Sequence, residues 1–166
     1  SPGASGGSAG RFAGYVVNEK LAYYAAGTGT VNASASNVIS LNTWHHIAVV
    51  RNSSTTKIYV DGVEKGSGTI STSLNPGSYA VEVGSGVVTS SFPITGYMTD
   101  VRIVKGTAVY TSAFTPPTER LTAVTNTSLL ACHLPYFADG STNDHTITVN
   151  GNTSIKPFAP YDAQEY

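Results

Sequence analysis

The 166-residue chain has room for one domain with a real core. Only 11% of it is charged and the net charge is −1, with nine Lys and Arg that form no run. Nucleic acid is thereby excluded as the main partner, because phosphate binding needs a basic patch. No apolar run reaches the roughly 18 residues of a membrane span, so membrane insertion is not expected.

The chain opens on Ser1-Pro2-Gly3-Ala4-Ser5-Gly6-Gly7-Ser8-Ala9-Gly10 without Met. By composition, residues 1–10 are a Gly/Ser-rich linker or long loop inside a longer chain. Residues 12–17 and 21–25 read as strands flanking a turn at Asn18-Glu19. Gly27-Thr28-Gly29-Thr30 faintly resembles a phosphate loop. It opens no helix, so it reads as a strand-connecting loop.

Residues 46–51 are almost continuously apolar and β-branched, as in a strand buried on both faces or at a sheet centre. Residues 52–56 are all Asn, Ser and Thr, side chains that bond their own backbone and stop a strand. Residues 57–60 resume it. Asp61-Gly62 supplies the positive φ angles of a two-residue hairpin turn. Val63-Glu64-Lys65 then turns back and ends in Gly66-Ser67-Gly68. Further strands are predicted over 79–83, 98–104, 128–134 and 146–149. No window carries an i, i+3, i+4 apolar stripe with caps. The fold class is all-β.

One block carries a resemblance: Trp44, His46, Ile47, Ala48, Val49 and Arg51, a polar turn, then Ile58-Tyr59-Val60-Asp61-Gly62. It resembles the concanavalin A-like (laminin G-like) domains common in phage tail, virion and bacterial surface proteins. Ile94 to Tyr110, Phe114-Thr115-Pro116-Pro117 through Leu130, and Asn143-Asp144-His145 through Asn152 look like the same family. The resemblance covers residues 11–160, with 161–166 as a tail. It implies a two-sheet antiparallel jelly-roll sandwich, in a family whose members mostly bind glycans or proteins. Such domains usually begin with an outer strand upstream of the position of Arg11, where only the Gly/Ser stretch stands here. Either that strand lies outside this sequence or another element completes the sheet.

Some enzymes share this sandwich. Retaining glycoside hydrolysis needs two carboxylates about 5 Å apart, which alternate strand residues would supply. Of the ten Asp and Glu, no two stand at i, i+2, and a non-enzymatic module is expected. Adjacent His45 and His46 point to opposite strand faces and do not pair on one metal. His46 is expected half-buried beside Trp44, and His45 in water. The lone Cys132 sits in an apolar run and reads as a small buried hydrophobe.

Asp139-Gly140-Ser141-Thr142-Asn143-Asp144 places oxygen-bearing side chains like the opening of a calcium loop, but lacks the EF-hand Gly and Glu. Asp139, Asn143 and Asp144 are the candidate calcium ligands; the other reading is a polar turn closed by Asx side chains. No cofactor is required otherwise. Ten Tyr offer flat apolar faces and hydroxyls suited to sugar rings. Tyr24, on a strand, and Tyr110 and Tyr136, near predicted loops, are the candidate ligand contacts. Four Asn-x-Ser/Thr sequons begin at Asn32, Asn52, Asn126 and Asn152 and read as loop composition.

The expectation is a glycan- or receptor-binding module on a virion (tail fibre, tail or capsid surface) or cell surface. Its partners would be a glycan or host surface receptor and other virion or surface-protein subunits. The alternative is a structural or decoration module making subunit contacts in a virion or extracellular filament.

Overall fold

A computed structural model describes residues 12–17, 20–25, 29–32, 38–71, 73–74, 80–84 and 93–161. The linker at 1–10, the Asn18-Glu19 turn, Tyr79 and the tail from 162 lie outside them. Among the described residues every regular element is a strand, and each pairing is antiparallel. Two compact units form.

The first unit comprises Ser1–Val83, Val87–Thr89 and Ala108–Pro116. It contains two three-stranded sheets. One runs β1 (Phe12–Val17), β2 (Lys20–Ala25), β3 (Gly29–Asn32), and the other β4 (Ile47–Asn52), β5 (Thr55–Val60), β6 (Val63–Thr69). Period-2 alternation puts Leu21, Tyr23 and Ala25 on one face of β2, and Thr56, Ile58 and Val60 on one face of β5. These apolar faces meet with Ile70 in one core, and Val38, Ile39, Val49 and Leu74 pack on it. Burying a side chain such as that of Ile58, fully out of water, stabilises the unit by about 1.5–3 kcal/mol. Burial also pushes the Tyr23 hydroxyl up to about 12, against the pull of Arg51. This is sheet-on-sheet packing of the sandwich type.

The Asp61-Gly62 turn forms as expected, with φ of 52° and 76°. Gly62 has a second constraint. A Cβ there would stand 1.7 Å from the Phe114 carbonyl oxygen, while the Phe114 N–H donates to the Gly62 oxygen at 3.0 Å.

Three expectations for this region need correction. Asn52 and Thr55 pair across the hairpin, so only Ser53-Ser54 turns, with Ser53 at φ 56° and its carbonyl accepting from Arg51 Nε at 2.9 Å. Ladder bonds won over the local side-chain bonds that Asn and Thr can make. Gly66-Ser67-Gly68 does not end β6, which continues to Thr69 after a register shift opposite Ile58 and Tyr59. Gly29 and Thr30 begin β3 rather than forming a loop.

The second unit comprises Gly84–Gly86, Ser90–Thr107 and Pro117–Tyr166. Its sheet is a two-stranded pair, β7 (Val101–Val104) with β8 (Thr127–Ala131). The strands expected over 98–104 and 128–134 are therefore shorter. Asp100 and Cys132 adopt φ of 55° and 58°, and these left-handed residues end both strands at the same rung. The Asp100 N–H then donates to the Cys132 carbonyl at 3.1 Å. Residues 146–149 form no strand, nor do residues 80–83 of the first unit. Alternation alone does not make a strand without a neighbour to satisfy its backbone.

Candidate functional site

The family-like block of the first unit builds two different features on the two sides of one hairpin. At its turn, Asp61 Oδ2 lies 2.7 Å from His45 Nδ1, and Asp61 Oδ1 accepts the His46 N–H at 2.8 Å. His45 Nε2 lies 2.9 Å from Ser40 Oγ and also accepts the Ser40 N–H at 3.0 Å. His45 thus does not face water as expected: its side chain is 13% exposed, because both ring nitrogens are used. Ser, His and Asp follow one another here as in a hydrolase triad. The one lone pair of Nε2, however, also receives Ser40's own backbone N–H, and Asp61 is half-exposed and shared with His46. The arrangement clamps the segment before β4 to the hairpin turn. His46, half-buried, packs edge-on to Tyr110 and Phe114 at 6.0 and 5.4 Å.

On the face of β4 and β5 opposite the core, alternation places Val50, Asn52, Thr55 and Lys57, with Asn52 and Thr55 exposed and Val50 and Lys57 half-buried. With Tyr110 and Thr111 they line a groove of about 230 Å³. Tyr110 is fixed there: its ring stacks on Phe114 at 3.7 Å and 8°. Phe114 in turn rests edge-on against the fully buried Tyr59, at 5.5 Å. Beside the groove, Lys57 Nζ bonds Glu64 Oε2 at 2.8 Å, and this carboxylate holds the ammonium above its usual value. The Asp61-Gly62 turn makes the pairing, since it sets Glu64 opposite Tyr59, on the Lys57 side.

Of the three candidate tyrosines, Tyr110 lines the groove. Tyr24 is half-buried on β2, opposite Ala13, and is not among the lining residues. Tyr136 is exposed in the second unit. Sequence reasoning named Tyr110 but missed Asn52, Thr55 and Lys57. Their signal was the alternation through residues 47–60, hidden while 52–56 was read as one long turn.

The candidate calcium ligands lie in the second unit. Asp139, 8% exposed, accepts from the Leu130 N–H, the Ser141 N–H and hydroxyl, and the His145 N–H, all at 2.8–3.0 Å. Burial by itself would raise this carboxyl. The donors from Leu130, Ser141 and His145 outweigh it and hold the group well below the usual carboxylate range. Asn143 turns its Nδ2 to the Ser128 carbonyl, and the Asp144 N–H donates to the Ser141 carbonyl. Among the described residues, no three His, Cys, Asp or Glu gather as metal ligands. What these residues build is a turn tied to β8.

Nearby, the Cys132 thiol is pushed up by burial and by Asp100, away from the reactive thiolate. His133 is pushed down by burial, with Asp100 and Asp139 opposing and Arg120 reinforcing. Its ring packs so closely on residue 140 that a Cβ there would fall 2.3 Å from Nε2.

The family model Laminin_G_3, of the concanavalin A-like lectin/glucanases superfamily, matches residues 3–116. The chain belongs to this family. Comparison with curated proteins and with solved structures returned no match. The match holds the Trp44 to Gly62 block and the groove residues. It stops at Pro116, short of the 11–160 span expected from the resemblance. The all-β architecture agrees with the family's sandwich, and the superfamily's description names both lectins and glucanases.

Proposed function

We propose that this laminin G-like chain is a non-enzymatic recognition module that binds a glycan in the Tyr110 groove. The observation that carries the reading is the fixed ring of Tyr110, stacked on Phe114 at 3.7 Å beside the polar side chains of Asn52, Thr55, Lys57 and Thr111. A ring already immobilised loses little entropy when a sugar lies against it, and the polar groups around it can bond hydroxyls. The sparsely charged, Thr-, Ser- and Asn-rich composition supports a place on a virion or cell surface, facing a host glycan or receptor.

The test is a glycan array followed by titration of the best ligand. Wild type binds, and Tyr110→Ala weakens binding at least about tenfold, roughly 1.4 kcal/mol, with an unchanged far-UV spectrum. Absence of binding across the array, with self-association instead, would favour the structural-module alternative. Release of reducing ends from the bound glycan would overturn the non-enzymatic part.

A further inference from the structure

Resting on the glycan reading, we propose that the groove selects neutral, hydroxyl-rich sugars and rejects uronic acids and sialylated ones. Lys57 is the one cation among the lining residues, and its ammonium is already bonded to Glu64 at 2.8 Å. The remaining polar lining is an amide, Asn52, and the hydroxyls of Thr55, Thr111 and Tyr110. No net positive charge therefore waits for an anion in the groove.

The pair follows from the backbone. The two-residue Asp61-Gly62 turn pairs Val60 with Val63 and so sets Glu64 opposite Tyr59, on the face of Lys57. The register shift falls past this pair, where Ile58 stands opposite Gly66. A groove rim of unpaired cations would attract acidic sugars; a rim of Lys57 and Glu64 does not. Lys57 keeps N–H donor capacity, and Glu64 keeps acceptor capacity. Neighbouring hydroxyls of one sugar, each both donor and acceptor, can bridge such a pair. A ligand carboxylate would have to compete with Glu64 for the ammonium and lie against a like charge, which is how a site discriminates by repulsion.

The experiment compares matched neutral and acidic oligosaccharides, differing only by a hydroxymethyl or carboxylate at one carbon, on the full chain. Wild type is expected to favour the neutral member at least about tenfold, with an affinity that barely changes between about 50 and about 500 mM sodium chloride. Glu64→Gln, which keeps the side-chain shape and removes the charge, is expected to raise affinity for the acidic member about fivefold and make it salt-sensitive. Tighter binding of the acidic member by wild type would overturn the proposal while leaving the glycan reading intact. Binding of neither member, nor of any glycan on the array, would overturn both. The salt series on wild type decides the matter even if the variant folds poorly.

Discussion

The two units are held together by different kinds of bonding. In the first, ladders of paired strands present apolar faces to one core, with Ile58, Val60 and Ala25 almost wholly out of water. In the second, side chains bond backbone that lies mostly outside the strands. Asp100 Oδ1 takes the Leu121 N–H at 2.9 Å, Thr127 Oγ1 the Val124 N–H at 2.8 Å, and Asp139 three backbone N–H groups. A β-sheet satisfies its own backbone, so its side chains are left for packing or recognition. An irregular segment needs acceptors brought to it, so its carboxylates are consumed as structure. The groove accordingly draws four of its six lining residues from the sheet, and the acidic loop forms a turn.

This contrast is sharpest at Asp139. Asp139→Ala removes the acceptor of four hydrogen bonds, leaves buried donors unpaired, and is expected to cost on the order of 4 kcal/mol in urea unfolding. A loss below about 1 kcal/mol would mean that solvent satisfies those donors and that the second unit is not built as described. In the first unit, Ile58→Ala should cost about 2–5 kcal/mol, the usual penalty for a cavity in a packed core.

The units should also fail at opposite ends of the pH scale. Tyr23 is raised when folded, so its contribution is intact below its ordinary value near 10 and is lost as pH climbs through about 12. His133 and Asp139 are both lowered when folded, so their contributions are lost as pH falls. The His133 loss begins below about 6.5 and the Asp139 loss below about 4. Thermal melts from acid to alkaline pH, with Tyr23→Phe and Asp139→Asn as controls, would show whether each limit belongs to the residue assigned to it.

Smaller effects separate the two kinds of bonding further. Calcium is expected to leave the melting temperature unchanged, because Asp139 already spends its oxygens on four donors; a rise would show the carboxylate released to a cation. Thr56 Oγ1 is fully buried in the first unit's core and, among the described residues, has no hydrogen-bond partner. Thr56→Val, of nearly the same shape, should be neutral or stabilising by up to about 1 kcal/mol. A clear destabilisation would reveal a bond to that hydroxyl.

How legible each region was in the sequence follows the same division. Residues 47–51 and 57–60 are legible as strands by their apolar, β-branched runs, and Asp61-Gly62 as a turn by the φ angles that its residue types tolerate. The ends of β7 and β8 are not legible in the same way: Asp100 tolerates left-handed backbone, as Asp61 does, but no Gly follows it to mark a turn, and Cys132 carries no such tendency. Residues 146–149 alternate well enough for a strand but are given no neighbour. Tyr110 could be named as a candidate aromatic. Its stack on Phe114, four residues on in an irregular segment, could not be read from any period.

By itself, the sequence determined the all-β class, the family and the turn at Asp61-Gly62, because alternation and turn geometry are local properties of a few neighbouring residues. Only the tertiary structure decided that His45 clamps Ser40 to Asp61, that Asp139 is a backbone acceptor, and that the groove joins β4 and β5 to Tyr110. Each of those joins residues far apart in the chain, or turns on which of several partners a polar group finds. Such choices are made by packing, which no window of sequence contains.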